Sequence, residues 1–213
     1  MKTRLTVLSL MTSCMLYSGE AEVSVNVSAT KGRSHTTTTD TGSKITASPK
    51  DATTLNLRFG SAFTNVGSAE LLGQVTIHSE YSTKYEFTEN GGFYREGTGK
   101  FKNEGIGLGV QARWRQVLEY AIGGEVRYEH LTLANAEPIS TSQVRPWLNL
   151  YLGRSFKRQN FTPFFGIEVA VPLTKSSHIG SSTNFGGTTV DPKDFLKSMS
   201  PKFEISLVIG MRR

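Results

Sequence analysis

Across residues 104–131 apolar and polar side chains change places at every step, with a single break at Gln116 and Val117. Ile106, Leu108, Val110, Ala112 and Trp114 share one parity, and Gly105, Gly107, Gly109, Gln111, Arg113 and Arg115 share the other. Beyond the break, Leu118, Tyr120, Ile122, Val126 and Tyr128 oppose Glu119, Ala121, Gly123, Glu125, Arg127 and Glu129. A helix would scatter both sets around its circumference, whereas a strand sends successive side chains to opposite faces. The stretch therefore predicts a β-hairpin with one oily face and one face of glycine and paired charges. Such a hairpin suits a closed barrel that turns its apolar face to lipid and fills its interior with polar groups.

The same two-residue period recurs along the chain and predicts eight strands, over 22–29, 54–63, 71–88, 104–115, 118–131, 144–153, 161–173 and 203–211. From Ile106 onward in the fourth, and throughout the other seven, no Asp, Glu, Lys or Arg falls on the apolar parity. A lipid-facing Arg or Lys near the bilayer middle costs ~2–4 kcal/mol, so the avoidance has a physical cause. Connections alternate between long (30–53, 88–103, 131–142, 174–200) and short (64–70, 116–117, 155–160), with both chain ends on the short side. The expectation is an all-β, eight-stranded, antiparallel, up-and-down transmembrane barrel. Pro146, Pro163 and Pro172 weigh against it, because proline withdraws a ladder donor and a closed barrel has no edge to hide it.

An eight-stranded barrel is only wide enough to be filled by its own side chains. The interior parity supplies Arg58, Arg113, Arg115, Glu119, Glu125, Arg127, Glu129, Arg145, Glu168 and Glu204. We expect these charges to meet across adjacent strands and plug the lumen, leaving no continuous pore. Aromatic residues cluster at both strand ends: Phe63, Trp114, Tyr120 and Phe161 toward the short turns, Tyr85, Phe87, Tyr128 and Phe203 toward the long loops. Rings at both levels are expected where a barrel crosses the two membrane interfaces.

The first residues fit export to an envelope. Lys2 and Arg4 precede an apolar run to Tyr17, then Gly19 and Ala21 offer small residues for cleavage, which predicts a signal peptide over 1–21 and a barrel domain over 22–213. Cys14, the single cysteine, lies inside that run and admits a lipoprotein alternative. A hydrophobic content of 37% excludes a bundle of membrane helices but not a barrel, in which only alternate residues meet lipid. The net charge of +6 is spread over loops and one strand face with no basic stripe interleaved with aromatics, so nucleic acid is not an expected partner.

Strand number, loop asymmetry, leader and the closing strand 203–211 resemble the small eight-stranded outer-membrane barrels, the group of the OmpA transmembrane domain, OmpX and the opacity proteins. The resemblance implies residence in the outer membrane, contact with outer-membrane lipid and lipopolysaccharide, and insertion by the barrel-assembly machinery. That group's last strand usually ends on an aromatic residue, where this chain has Met211-Arg212-Arg213.

Chemistry is sparse. The histidines are His35, His78, His130 and His178; none belongs to a metal-spaced cluster, and neither a metal nor a cofactor is expected. His78 falls on the interior parity, where a lumen hydrogen bond is expected. His130 and Thr132 share the outward parity and are similar to the His-x-Ser pair of the lipid A deacylase PagL. Threonine stands at the serine position, Leu133 at that of the following asparagine, and no outward carboxylate is evident beside His130. The expected function is a non-enzymatic, porin-like surface protein whose long loops meet lipopolysaccharide, a host surface or another envelope protein. Lipid A deacylation and a narrow channel are the alternatives.

Overall fold

The computed structural model describes residues 20–29, 35–38, 44–50, 52–89, 92–134, 138–174, 184–185, 188–189, 193, 196–197 and 199–213. Residues 1–19 of the segment expected to be a signal peptide, Cys14 among them, and His178 lie outside the described residues. In chain order the strands are β1 (Ala21–Ala29), β2 (His35–Thr38), β3 (Lys44–Lys50), β4 (Thr53–Val66), β5 (Ala69–Glu89), β6 (Gly92–Arg115), β7 (Glu119–Ala134), β8 (Ile139–Ser155), β9 (Thr162–Pro172), β10 (Asn184–Phe185), β11 (Thr188–Thr189) and β12 (Glu204–Arg212). Eight of them close a ring in the order β1, β4, β5, β6, β7, β8, β9, β12, every neighbour antiparallel, with β12 returning to pair with β1. Closure leaves no strand edge in the barrel wall.

Alternation dictates the wall. Along β7 burial switches at every residue from Glu119 to Leu131, the charged and small side chains inside and Tyr120, Ile122, Val126 and Tyr128 outside. The prolines are accommodated because only their donor is missing. The carbonyl of Pro146 accepts from Leu173 N–H at 2.8 Å, and that of Pro163 from Phe156 N–H at 2.9 Å.

All four predicted long loops are built differently from the sequence reading; within 174–200, β10 pairs with β11. Within 30–53 the backbone makes the β2–β3 hairpin, and β3 continues the ladder onto residues 84–89 of β5. Most of 88–103 belongs to β6, which begins at Gly92 and extends the β5–β6 hairpin beyond the other strands. Within 131–142, β7 runs to Ala134 and β8 starts at Ile139. The ladder needs only backbone groups, so pairing outlasts the apolar period from which it was predicted. The short link 64–70 is tighter than expected: Val66 pairs with Ala69, and Gly67 adopts a φ of 60°, which a two-residue hairpin turn requires of its first residue.

Just before the wall, Ala62 N–H donates to Glu20 O at 3.0 Å and Arg213 N–H to Ala21 O at 2.9 Å. Cleavage after Ala21 would remove both contacts.

Candidate functional site

The interior is layered. At the short-turn mouth Arg115 bridges Glu20 and Glu70, the latter at 2.5 Å. Arg115 was expected inside the plug, yet it stands at the rim, partly exposed, because β6 ends there. Its hydrogen bond to Glu20 holds that carboxyl below the ordinary range of a glutamate.

One level deeper, Arg113 pairs with Glu22 at 2.5 and 2.9 Å, and Arg212 with Glu119 at 2.9 and 3.1 Å. Both guanidinium groups lie over the ring of Phe164, which packs edge-on against Tyr151. Mid-barrel, Arg58 grips Glu168 at 2.5 and 2.8 Å, while Arg127 joins Glu125 at 2.9 Å to Glu204 at 3.1 Å. Gly107 makes room here, since a Cβ on it would fall 1.8 Å from Glu125 Oε1. Above them Trp147 is fully buried between Arg127 and Arg145, 4.3 and 4.7 Å from its ring centroid, and Arg145 holds Glu129 at 2.9 Å. His78 Nδ1 lies 2.7 Å from Asn56 Oδ1. At the long-loop end Phe101, Leu131 and Leu133 turn inward and are covered by Leu196 and Met199.

Charges were expected to meet mainly between adjacent strands. Instead Arg58–Glu168, Arg113–Glu22, Arg127–Glu204 and Arg212–Glu119 each join strands three places apart around the ring, across the lumen. The directly adjacent pair Arg127 and Arg145 is like-charged, and the Trp147 ring lies against both guanidinium groups. Glu22 and Arg212 escaped the sequence reading although both stand on the interior parity of their strands. The inward Leu131 and Leu133 escaped it because 131–142 was read as a loop.

Outside, positions 23–27, 55–61, 71–83, 106–114, 120–128, 144–152, 163–171 and 203–211 on the outward parity carry no Asp, Glu, Lys or Arg. Of the predicted girdle, Phe63, Tyr120, Phe161, Tyr128 and Phe203 are exposed on this surface, and Trp114 stacks on Tyr120 with centroids 5.3 Å apart. Tyr85 and Phe87 belong to β5, but their side chains lie outside the described residues. His130 also faces outward, and the hydroxyl in contact with it is that of Ser142 at 3.0 Å rather than that of Thr132. Glu104 stands directly opposite His130 on β6, an outward carboxylate that the sequence reading did not find. No group of His, Cys, Asp and Glu able to hold a metal ion occurs among the described residues.

A closed eight-stranded barrel, ionic within and oily without, has the architecture of the small outer-membrane barrels. No family model matches the chain, and no curated protein matches it. Among solved structures it is similar to Neisserial surface protein A, at 10% identity over 91% of this chain and 94% of that one, with a TM-score of 0.41. It is also similar to Ail, the attachment invasion locus protein of Yersinia pestis, at 12% identity over 92% and 99%, with a TM-score of 0.42. The fold assignment rests on the strand pairing.

Proposed function

We propose that this protein resides in the outer membrane as a filled, non-conducting barrel that holds its long-loop end against the outside of the cell. The observation that carries the reading is the uncharged outward belt around a wall whose inner face buries Arg58, Arg113, Arg127, Arg145 and Arg212. A soluble barrel that binds ligands in its centre would invert those faces. In water such a belt would be an unusually large exposed apolar surface, and lipid removes that cost. The interior ion pairs and the apolar cap of Leu196 and Met199 leave the lumen packed, which supports a scaffold over a channel. The contacts of a surface scaffold, with lipopolysaccharide, a host surface or a neighbouring envelope protein, would fall to the extended β5–β6 hairpin and the β2–β3 hairpin beside it. Assembly would proceed through the barrel-assembly machinery with β12 as the closing strand.

Envelope fractionation combined with heat-modifiable gel mobility tests the proposal. The expected result is an outer-membrane band that migrates faster unheated than boiled. A soluble periplasmic band would overturn it.

A further inference from the structure

Three residues on neighbouring strands form a row on the outer wall: Glu104 on β6, His130 on β7 and Ser142 on β8, each directly opposite the next in register. All three are exposed. His130 Nδ1 lies 3.0 Å from Ser142 Oγ, and Tyr128 OH donates to the same oxygen at 2.9 Å. A serine hydroxyl that accepts from Tyr128 keeps its own hydrogen to donate to the imidazole. Glu104 Oε1 lies 4.0 Å from Lys102 Nζ. Directly opposed side chains have Cβ atoms about 4.5–5.5 Å apart, so a turn of this exposed side chain brings its carboxylate to the imidazole from the side away from Ser142. A hydroxyl, an imidazole and a carboxylate in that sequence make an activated nucleophile with its base and the group that orients the base.

Depth supplies the substrate class. Ile106, Tyr128 and Val144 form the last level of the uncharged belt, and the row lies two residues farther along each strand, ~6.6 Å beyond it. Lys102, Thr132 and Ser140 follow at the next outward level, so the wall changes from oily to polar at this row. In a bilayer that boundary is where acyl chains join their headgroups through ester bonds.

We propose that Glu104, His130 and Ser142 form a hydrolytic site for acyl esters of membrane lipids. This goes beyond the scaffold reading and rests on its lipid-facing wall. Ser142 Oγ attacks the ester carbonyl carbon while its proton passes to His130 Nδ1. The bond to the headgroup oxygen breaks, and that oxygen leaves with the proton from Nδ1. Water then gives a proton to His130 and attacks the acyl-serine carbonyl. The acyl bond to Oγ breaks, Ser142 recovers its proton, and a free fatty acid departs. The Tyr128 hydroxyl is the donor at hand for the carbonyl oxygen as it becomes negative. Glu104 is a positioning residue.

The test uses the full barrel refolded into vesicles of phosphatidylethanolamine and phosphatidylglycerol, with and without acylated lipopolysaccharide, and a fluorophosphonate probe. Mass spectrometry should find free fatty acid and a phosphonylated Ser142. Ser142→Ala abolishes both, His130→Ala slows release by ~10²-fold or more, and Thr132→Ala leaves release unchanged. Glu104→Gln lowers kcat with KM unchanged, which a structural defect would not do selectively. Release from phospholipid vesicles alone assigns glycerophospholipid esters, and release only with lipopolysaccharide assigns its acyl groups. Folded, inserted protein that releases nothing, is not labelled, is labelled without release, or releases equally as Ser142→Ala overturns the proposal. Failure to insert would overturn the scaffold reading and this one with it.

Discussion

Arg212 and Glu119, 93 positions apart in the chain, face each other across the barrel and share two hydrogen bonds of 2.9 and 3.1 Å. Arg212 also reaches Glu22 at 3.3 Å, so one guanidinium ties the closing strand both to its neighbour and to the far wall. Arg213, the next residue, is exposed.

Replacing Arg212 by alanine leaves Glu119 with no guanidinium and Glu22 with Arg113 alone. The expected loss is ~3–5 kcal/mol, the cost of stranding a buried charge. Arg213→Ala should change stability by less than ~0.5 kcal/mol, as exposed substitutions do. Urea titrations of the vesicle-embedded barrel, read by heat-modifiable mobility, compare the two; equal midpoints would contradict the assigned role of Arg212.

Val126 and Arg127 test the faces. Val126 is 52% exposed and Arg127 fully buried. Val126→Arg places a charge in lipid at ~2–4 kcal/mol and should sharply lower the folded yield, whereas Val126→Leu should assemble normally. Arg127→Gln should fold but open at lower urea, because Glu125 and Glu204 lose their shared partner. Normal assembly of Val126→Arg would mean the faces are reversed.

The packed lumen predicts negligible steady conductance for the wild type in planar bilayers. Replacing Glu125 and Arg127 together by alanine removes two bulky groups from the middle layer and one face of the Trp147 sandwich. Intermittent openings are expected from that double variant. Steady, ion-selective current through the unmodified protein would favour the channel alternative.

Glu20 gives a pH dependence at the rim. Arg115 lowers its carboxyl below the ordinary 4.5, so the pair contributes stability above that pH and loses it as pH falls through the lowered folded value. In protein beginning at residue 20, the difference in urea midpoint between wild type and Glu20→Gln should be constant near neutrality and shrink below pH 4.5. A difference unchanged at pH 3 would show that the pair is not the cause.

How far the barrel could be read without coordinates depends on the range of each interaction. The faces of β7 follow from Leu118 to Glu129 alone, because the two-residue period is a property of the strand itself. Arg212 is equally legible, standing one step beyond Met211 on the interior parity. The strands within 88–103 and 131–142 were not legible, since no apolar parity marks a ladder held by backbone hydrogen bonds.

Sequence by itself thus determined which side chains face lipid and which face the lumen, and it implied a closed wall. Tertiary structure decided which of them meet. Arg58 finds Glu168, and Arg113 finds Glu22, through the curvature and stagger of the ring, which brings together strands that share no ladder. Glu104, His130 and Ser142 align because two independent registers, β6 on β7 and β7 on β8, place them at one height. A period of two residues repeats identically when a strand slides by two, so no local pattern specifies that height; the hairpin turns and the closure of the ring do.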